Sequence, residues 1–231
     1  MTDGSVSCSR MPHSKMMQQF LSLLYVLFLT EWMSTADAGR SVRRLCKNEI
    51  DLMSDEGVHI EPVERSHVEL LLADQKVRSR NAIRFEFRTT AENGILFYGR
   101  STEEPWELVA LRLISGDLHY KIHCSTLSAD VLFPHSQKLN DGKWHTVVVR
   151  YRRGGLKTQI EVDGIRDTKT YEVSCSRMTS LVFGGVSKHD RQLVYGRLGK
   201  VPHYDGCIRR VSIPTALRSP PKYYAISICE H

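Results

Sequence analysis

From His67 onward the chain is a succession of short apolar runs separated by turn residues. Ile83-Arg84-Phe85-Glu86-Phe87-Arg88 alternates apolar and charged positions, which sets one face of a strand against a core and the other in water. Glu92-Asn93-Gly94 turns the chain into Ile95-Leu96-Phe97-Tyr98, a hairpin pattern, because asparagine and glycine accept the positive φ of tight turns. Leu108 to Leu113 predicts another strand, Ser115-Gly116-Asp117 a turn, and Leu118 to His123 alternates again. Asn140-Asp141-Gly142 launches the run Val147 to Tyr151, with Trp144 as a core or hinge aromatic at its start. Val68 to Leu72, Gln159 to Val162, Leu181 to Phe183 and Ile208 to Ile213 complete the set, with a turn at Asp163-Gly164. Gly184-Gly185 opens a polar stretch, Val186 to His203, that reads as a long loop, functional or mobile. No long 3.6-residue periodicity follows His67, so the expectation is an all-β sandwich or barrel.

The chain ahead of His67 is different. Arg10 and Lys15 precede the apolar run Phe20 to Leu29, and Ala36-Asp37-Ala38 has the small residues a signal peptidase needs, so residues 1–38 read as a signal peptide. The run is too short for a membrane span, which takes about 20 apolar residues. The mature protein is therefore expected to be secreted and extracellular, with no transmembrane segment. Residues 39–65 read as a charged leader. Within it Arg40-Ser41-Val42-Arg43 has the form that secretory convertases cut, which suggests N-terminal processing at Arg43 or Arg44.

The formal net charge of the whole chain is +6, and removing residues 1–38 leaves +7. Outside the cell such an excess points to sulfated glycans, anionic matrix or phospholipid headgroups, and away from nucleic acid. Arg150 and Arg152 alternate along one strand with Arg153 and Lys157 close by, Arg209 and Arg210 adjoin the last apolar run, and Lys188, Arg191, Arg197 and Lys200 load the long loop. Guanidinium groups pair bidentately with sulfate or carboxylate, so these residues are the candidate ligand-binding set.

Enzyme chemistry finds little footing. Glu49-Ile50-Asp51-Leu52 is similar to the start of the carboxylate strand of a jelly-roll glycoside hydrolase family, but no second glutamate follows in step and the motif lies in the leader. Neither Gly-x-Ser-x-Gly nor His-Glu-x-x-His occurs. The expectation is no enzyme.

Seven pieces in one order resemble the laminin G domain family of laminins, agrin, perlecan and neurexins: Phe85 to Thr89, Gly94 to Tyr98, Leu111 to Gly116, Leu139 to His145, Val162 to Gly164, Leu181 to Gly185 and Tyr204 to Ile208. The resemblance covers residues 66–229, leaving 230–231 as a tail. It implies a lectin-like jelly-roll β-sandwich of two antiparallel sheets. It also implies an adhesion module that engages heparan sulfate, other acidic glycans, a receptor or a matrix protein. The alternative is a protein–protein module of synaptic or matrix assemblies, and last comes a carbohydrate-active enzyme or steroid-carrier-like protein on the same fold.

Six cysteines in a secreted chain argue for disulfides, and five remain once Cys8 leaves with the signal. The resemblance pairs Cys207 with Cys229. Cys124 and Cys175 end or flank predicted strands and form a second pair, which leaves Cys46 free or joined to another chain. The family often carries calcium at one rim of the sandwich. The resemblance places Glu107 where a ligand aspartate usually stands and His203 where an asparagine or aspartate often does, with Asp190 able to compensate.

Overall fold

The computed structural model describes residues 50–73, 81–101, 104–124, 127–133, 137–152, 157–167 and 178–229. The expected signal peptide, residues 39–49 of the leader with Arg43, Arg44 and Cys46, and also Arg153, Cys175 and the 230–231 tail lie outside the described residues.

Two antiparallel sheets of seven strands each form the described fold. In chain order the strands are β1 (Val58–Ile60), β2 (His67–Leu71), β3 (Asn81–Arg88), β4 (Gly94–Arg100), β5 (Leu108–Ile114), β6 (Asp117–Cys124), β7 (Leu127–Leu132), β8 (His145–Arg152), β9 (Lys157–Val162), β10 (Ile165–Arg166), β11 (Ser180–Phe183), β12 (Gly206–Ser212), β13 (Lys222–Tyr224) and β14 (Ile226–Ile228). The first sheet runs β10-β9-β8-β3-β12-β1-β14, and the second β13-β2-β11-β4-β5-β6-β7. The all-β sandwich expected from the apolar runs, with the jelly roll that the resemblance implied, is the architecture observed.

The alternating strands supply the core. Phe85 of the first sheet meets Phe97 and Phe183 of the second edge to face, with ring centroids 5.8 and 5.7 Å apart. Each ring is fully buried, a contribution of about 2 kcal/mol per side chain from apolar burial. In β4 the register slips between Ile95 and Phe97, so Leu96 is an extra residue against β5. The bulge lets Leu96 and Phe97 both join the inter-sheet core, while Ile95 and Tyr98 face the opposite side.

That opposite side is also covered, and here the sequence expectation needs correcting. The Val186 to His203 stretch is no plain loop: a 3-10 turn at Lys188–Asp190 leads into helix α1 (Arg191–Leu198). Val194, with Tyr195 and Leu198, packs on Ile95, Tyr98, Leu108, Ala110 and Val182, forming a second small core on the outer face of the second sheet. Two turns with one buried residue are too short to show periodicity. Residues ahead of 66 also pack into the sandwich. Val58 and Ile60 are fully buried in β1, which pairs with both β12 and β14, and Leu52 is in the core. Charged neighbours obscured these few apolar residues.

Candidate functional site

The outer face of the first sheet carries several of the predicted basic residues. Arg209 and Arg210 are adjacent, and adjacent strand residues normally point to opposite faces. A bulge between Arg209 and Ser212, with Arg210 at φ 51°, turns both guanidiniums outward. Both then meet Glu86 on β3: Arg209 Nε donates to Oε2 at 2.7 Å and Arg210 Nη1 to Oε1 at 3.0 Å. Burial alone would raise the Glu86 carboxyl, but the two guanidiniums outweigh it and hold the group below the ordinary glutamate value. Arg210 Nε also donates to Asp55 at 2.7 Å. Farther along, Glu161 accepts from Arg150 at 3.1 Å and from Arg166 at 3.2 Å. Arg152 ends β8, and its side chain, like all of Arg153, is outside the described residues.

Trp144, expected as a core or hinge aromatic, is not among the buried core side chains. It is half-buried and lies beneath two guanidiniums, with Arg209 Cζ 3.9 Å and Arg88 Cζ 5.0 Å from the ring centroid. Arg88 Nη2 also reaches Cys229 Sγ at 3.4 Å. Cys229 is joined to Cys207 in the disulfide that the resemblance implied. Cys124 is disulfide-bonded too, and Cys175, its expected partner, lies outside the described residues.

His145 drew no role from the sequence, yet it clamps two turns. Its Nδ1 lies 2.7 Å from Asp163 and its Nε2 3.0 Å from Asp141, so both ring nitrogens face carboxylates. Asp141 is held down to about 2, first by the Lys143 backbone N–H and then by His145. The clamp joins the predicted turn before β8 to the predicted turn after β9. Asp51, from the hydrolase-like motif, serves the fold, since its carboxylate accepts from the Met53 N–H and the Tyr223 hydroxyl.

The outer face of the second sheet is arranged differently. Asp190 is buried at the start of α1; Tyr98 donates to its Oδ2 at 2.8 Å and Arg100 Nε lies 2.9 Å from its Oδ1. Burial, then the Asp190 charge, drives the Tyr98 hydroxyl far above its ordinary pKa, so it stays a donor. Glu107 is also buried and lines a shallow recess with Arg100, Ser101 and Met178. As placed, Asp190 offers no free carboxylate to a calcium ion. Both Asp190 oxygens are occupied, the cation beside them is Arg100, and no group of three or more His, Cys, Asp or Glu side chains suited to a metal gathers among the described residues.

His203 is buried near His67, and burial holds its pKa below the ordinary histidine value. Gly185 beside it has no room for a Cβ, which would collide with the Ser66 carbonyl and lie 2.8 Å from His203 Nδ1. Around α1, Arg191 pairs with Glu64 at 3.0 Å. Lys188, Arg197 and Lys200 are exposed and have no ion-pair partner among the described residues. Sequence reasoning missed the neighbouring strand. The alternation of β6 was read for its apolar half, but the outward half is His119, Lys121 and His123, beside Arg112 of β5.

A family model described as "Laminin G domain" matches residues 87–215, more than half of the 231-residue chain. The chain belongs to the laminin G domain family. Among curated relatives it is similar to the laminin subunit alpha of Drosophila melanogaster, with 28% identity over 67% of this chain and 4% of that protein. It is also similar to the sex hormone-binding globulin of Rattus norvegicus, with 31% identity over 62% of this chain and 35% of that one. The chain therefore spans well under half the length of either. A solved structure of mouse laminin alpha1 chain domains LG4-5 superposes with a TM-score of 0.63 at 23% identity, covering 79% of this chain and 48% of that one. That likeness establishes the shared laminin G fold. Among the described residues no helix is long and apolar enough to cross a membrane.

Proposed function

We propose that this laminin G domain is a secreted, extracellular binding module, without enzymatic activity, for acidic glycans such as heparan sulfate. The ligand is held on the basic residues of the segment from Lys188 to Lys200. One observation carries the reading: Lys188, Arg197 and Lys200 stand exposed without acid partners among the described residues, whereas Arg150, Arg191, Arg209 and Arg210 are each paired with a carboxylate. Exposed cations can exchange water and counter-ions for sulfate, while paired ones must first give up a partner. The two disulfide-bonded positions, Cys207–Cys229 and Cys124, support an oxidising compartment. Phenylalanine rings occupy the middle of the sandwich, which disfavours a carrier with its ligand between the sheets.

Retention on immobilised heparin tests the proposal. It should fall steeply as salt rises, and the triple change Lys188→Gln, Arg197→Gln, Lys200→Gln should abolish most of it. Salt-insensitive capture of a polypeptide partner, with no heparin retention, would favour the protein–protein alternative.

A further inference from the structure

Helix α1 does not end its positive surface at its own edge. Arg112 of β5 donates Nη1 to the Leu198 carbonyl at 3.2 Å, tying the C-terminal end of the helix to the outer face of the second sheet. Beyond Arg112, every outward position of β6 after Asp117 is basic or imidazole: His119 stands opposite Arg112, Lys121 opposite Ala110 and His123 opposite Leu108. On β7, Asp130 is shared by three of these groups, with Arg112 Nη2 at 2.9 Å and His119 Nδ1 and Lys121 Nζ each at 3.8 Å. The groups facing this strip are thus Arg112 from β5, Asp130 from β7, Arg197 from α1 and Glu107 from the turn before β5. At neutral pH three fixed cations, Arg112, Lys121 and Arg197, stand against two carboxylates, Asp130 and Glu107. A proton on His123 adds a further positive charge beside Arg197 and Lys121.

We propose that the outward face of β6, through His119, Lys121 and His123, extends the α1 surface into a sulfated-glycan strip whose binding takes up protons and strengthens as pH falls. The inference rests on the glycan reading above and adds its location and regulation. Burial first, and then the Arg197 and Lys121 charges, make His123 harder to protonate than an ordinary histidine, with Glu107 opposing. The strip's own cations are therefore convergent on that ring. A row of sulfates lying along it supplies the missing negative charge and reverses the penalty. By linkage, a ring whose pKa rises on binding is protonated by the ligand, and affinity increases as pH falls through the window between its free and bound values.

The test uses the intact chain and heparin at fixed ionic strength, with affinity measured at pH 7.4 and pH 5.0. About a tenfold gain at pH 5.0 is expected, the change that a rise of about one pKa unit at one ring produces. A His119→Asn, His123→Asn double variant should lose that gain, and NMR titration should show the His123 pKa rising when Arg197→Gln removes the neighbouring charge. Heparin binding without pH dependence, pH dependence that survives in the double variant, or a His123 ring indifferent to Arg197→Gln overturns this inference alone. No heparin binding at either pH overturns the glycan reading and this inference with it.

Discussion

The two outer faces of the sandwich both carry basic side chains and make different use of them. On the first sheet, Arg209, Arg210, Arg150 and Arg166 are laced to Glu86, Asp55 and Glu161 across neighbouring strands, so the face is charged but largely self-neutralised. On the second, α1 buries one acid, Asp190, beneath itself, and shows Lys188, Arg197 and Lys200 to solvent. Net charge counts both faces equally, but only spatial pairing tells which one can attract a polyanion. The charge-assisted pairs of the first face tie neighbouring strands together, while the short helix over the second leaves three cations open to solvent.

Removing the disulfide should produce the largest difference between the faces. The Cys207–Cys229 bridge closes a 22-residue separation, and replacing both cysteines by alanine should cost about 3 kcal/mol. Hydrogen exchange should rise first in β1, β12 and β14 of the first sheet, leaving α1 protected; uniform loosening of both sheets would mean that the faces are not separate units. A smaller effect should appear in acid, on the second face. His203 has a folded-state pKa below the ordinary histidine value of about 6.5, so the folded form binds its proton less readily than the unfolded one. Its contribution is fully present above about pH 6.5 and is lost as pH falls toward the lower folded value. Denaturant melts at pH 7.5 and 5.0 should show this loss, and His203→Asn should flatten it; an equal slope in the variant would remove His203 as the cause.

The strands that were legible in the sequence are those whose apolar period is local. β3, β4, β6 and β8 each announce themselves within eight residues, and the Asp163-Gly164 turn does so in two, with Asp163 at φ 50° and Gly164 at φ 81°. β1 did not, because three residues become a strand only when β12 and β14 close on either side. The pairing of charges was equally hidden. Glu86 and Arg209 lie 123 positions apart, so nothing near either one reveals that they neutralise each other. The stacking of Arg88 and Arg209 on Trp144 is a tertiary fact of the same kind. The β6 strip is visible as alternation from Leu118 to His123, but alternation does not show that Arg112 of β5 stands beside its polar half.

The smallest stability effect gives the sharpest test of the comparison. Changing Glu86 and Glu161 together to glutamine keeps an acceptor near each arginine but removes both carboxylate charges from the first face. Partly exposed ion pairs contribute little, so stability should fall by less than about 1 kcal/mol for each change. The freed groups, Arg209 in one place and Arg150 and Arg166 in the other, then resemble the open cations of α1, while Arg210 keeps its pair with Asp55. If pairing is what silences the first face, the variant should elute from heparin at higher salt, with a several-fold gain in affinity that fades as salt screens it. The added binding should survive Lys188→Gln, Arg197→Gln, Lys200→Gln, since it arises on the other sheet. Unchanged elution would mean that free charge alone does not make a site on this sandwich, and that the placement of cations along α1 and β6 matters more than their number.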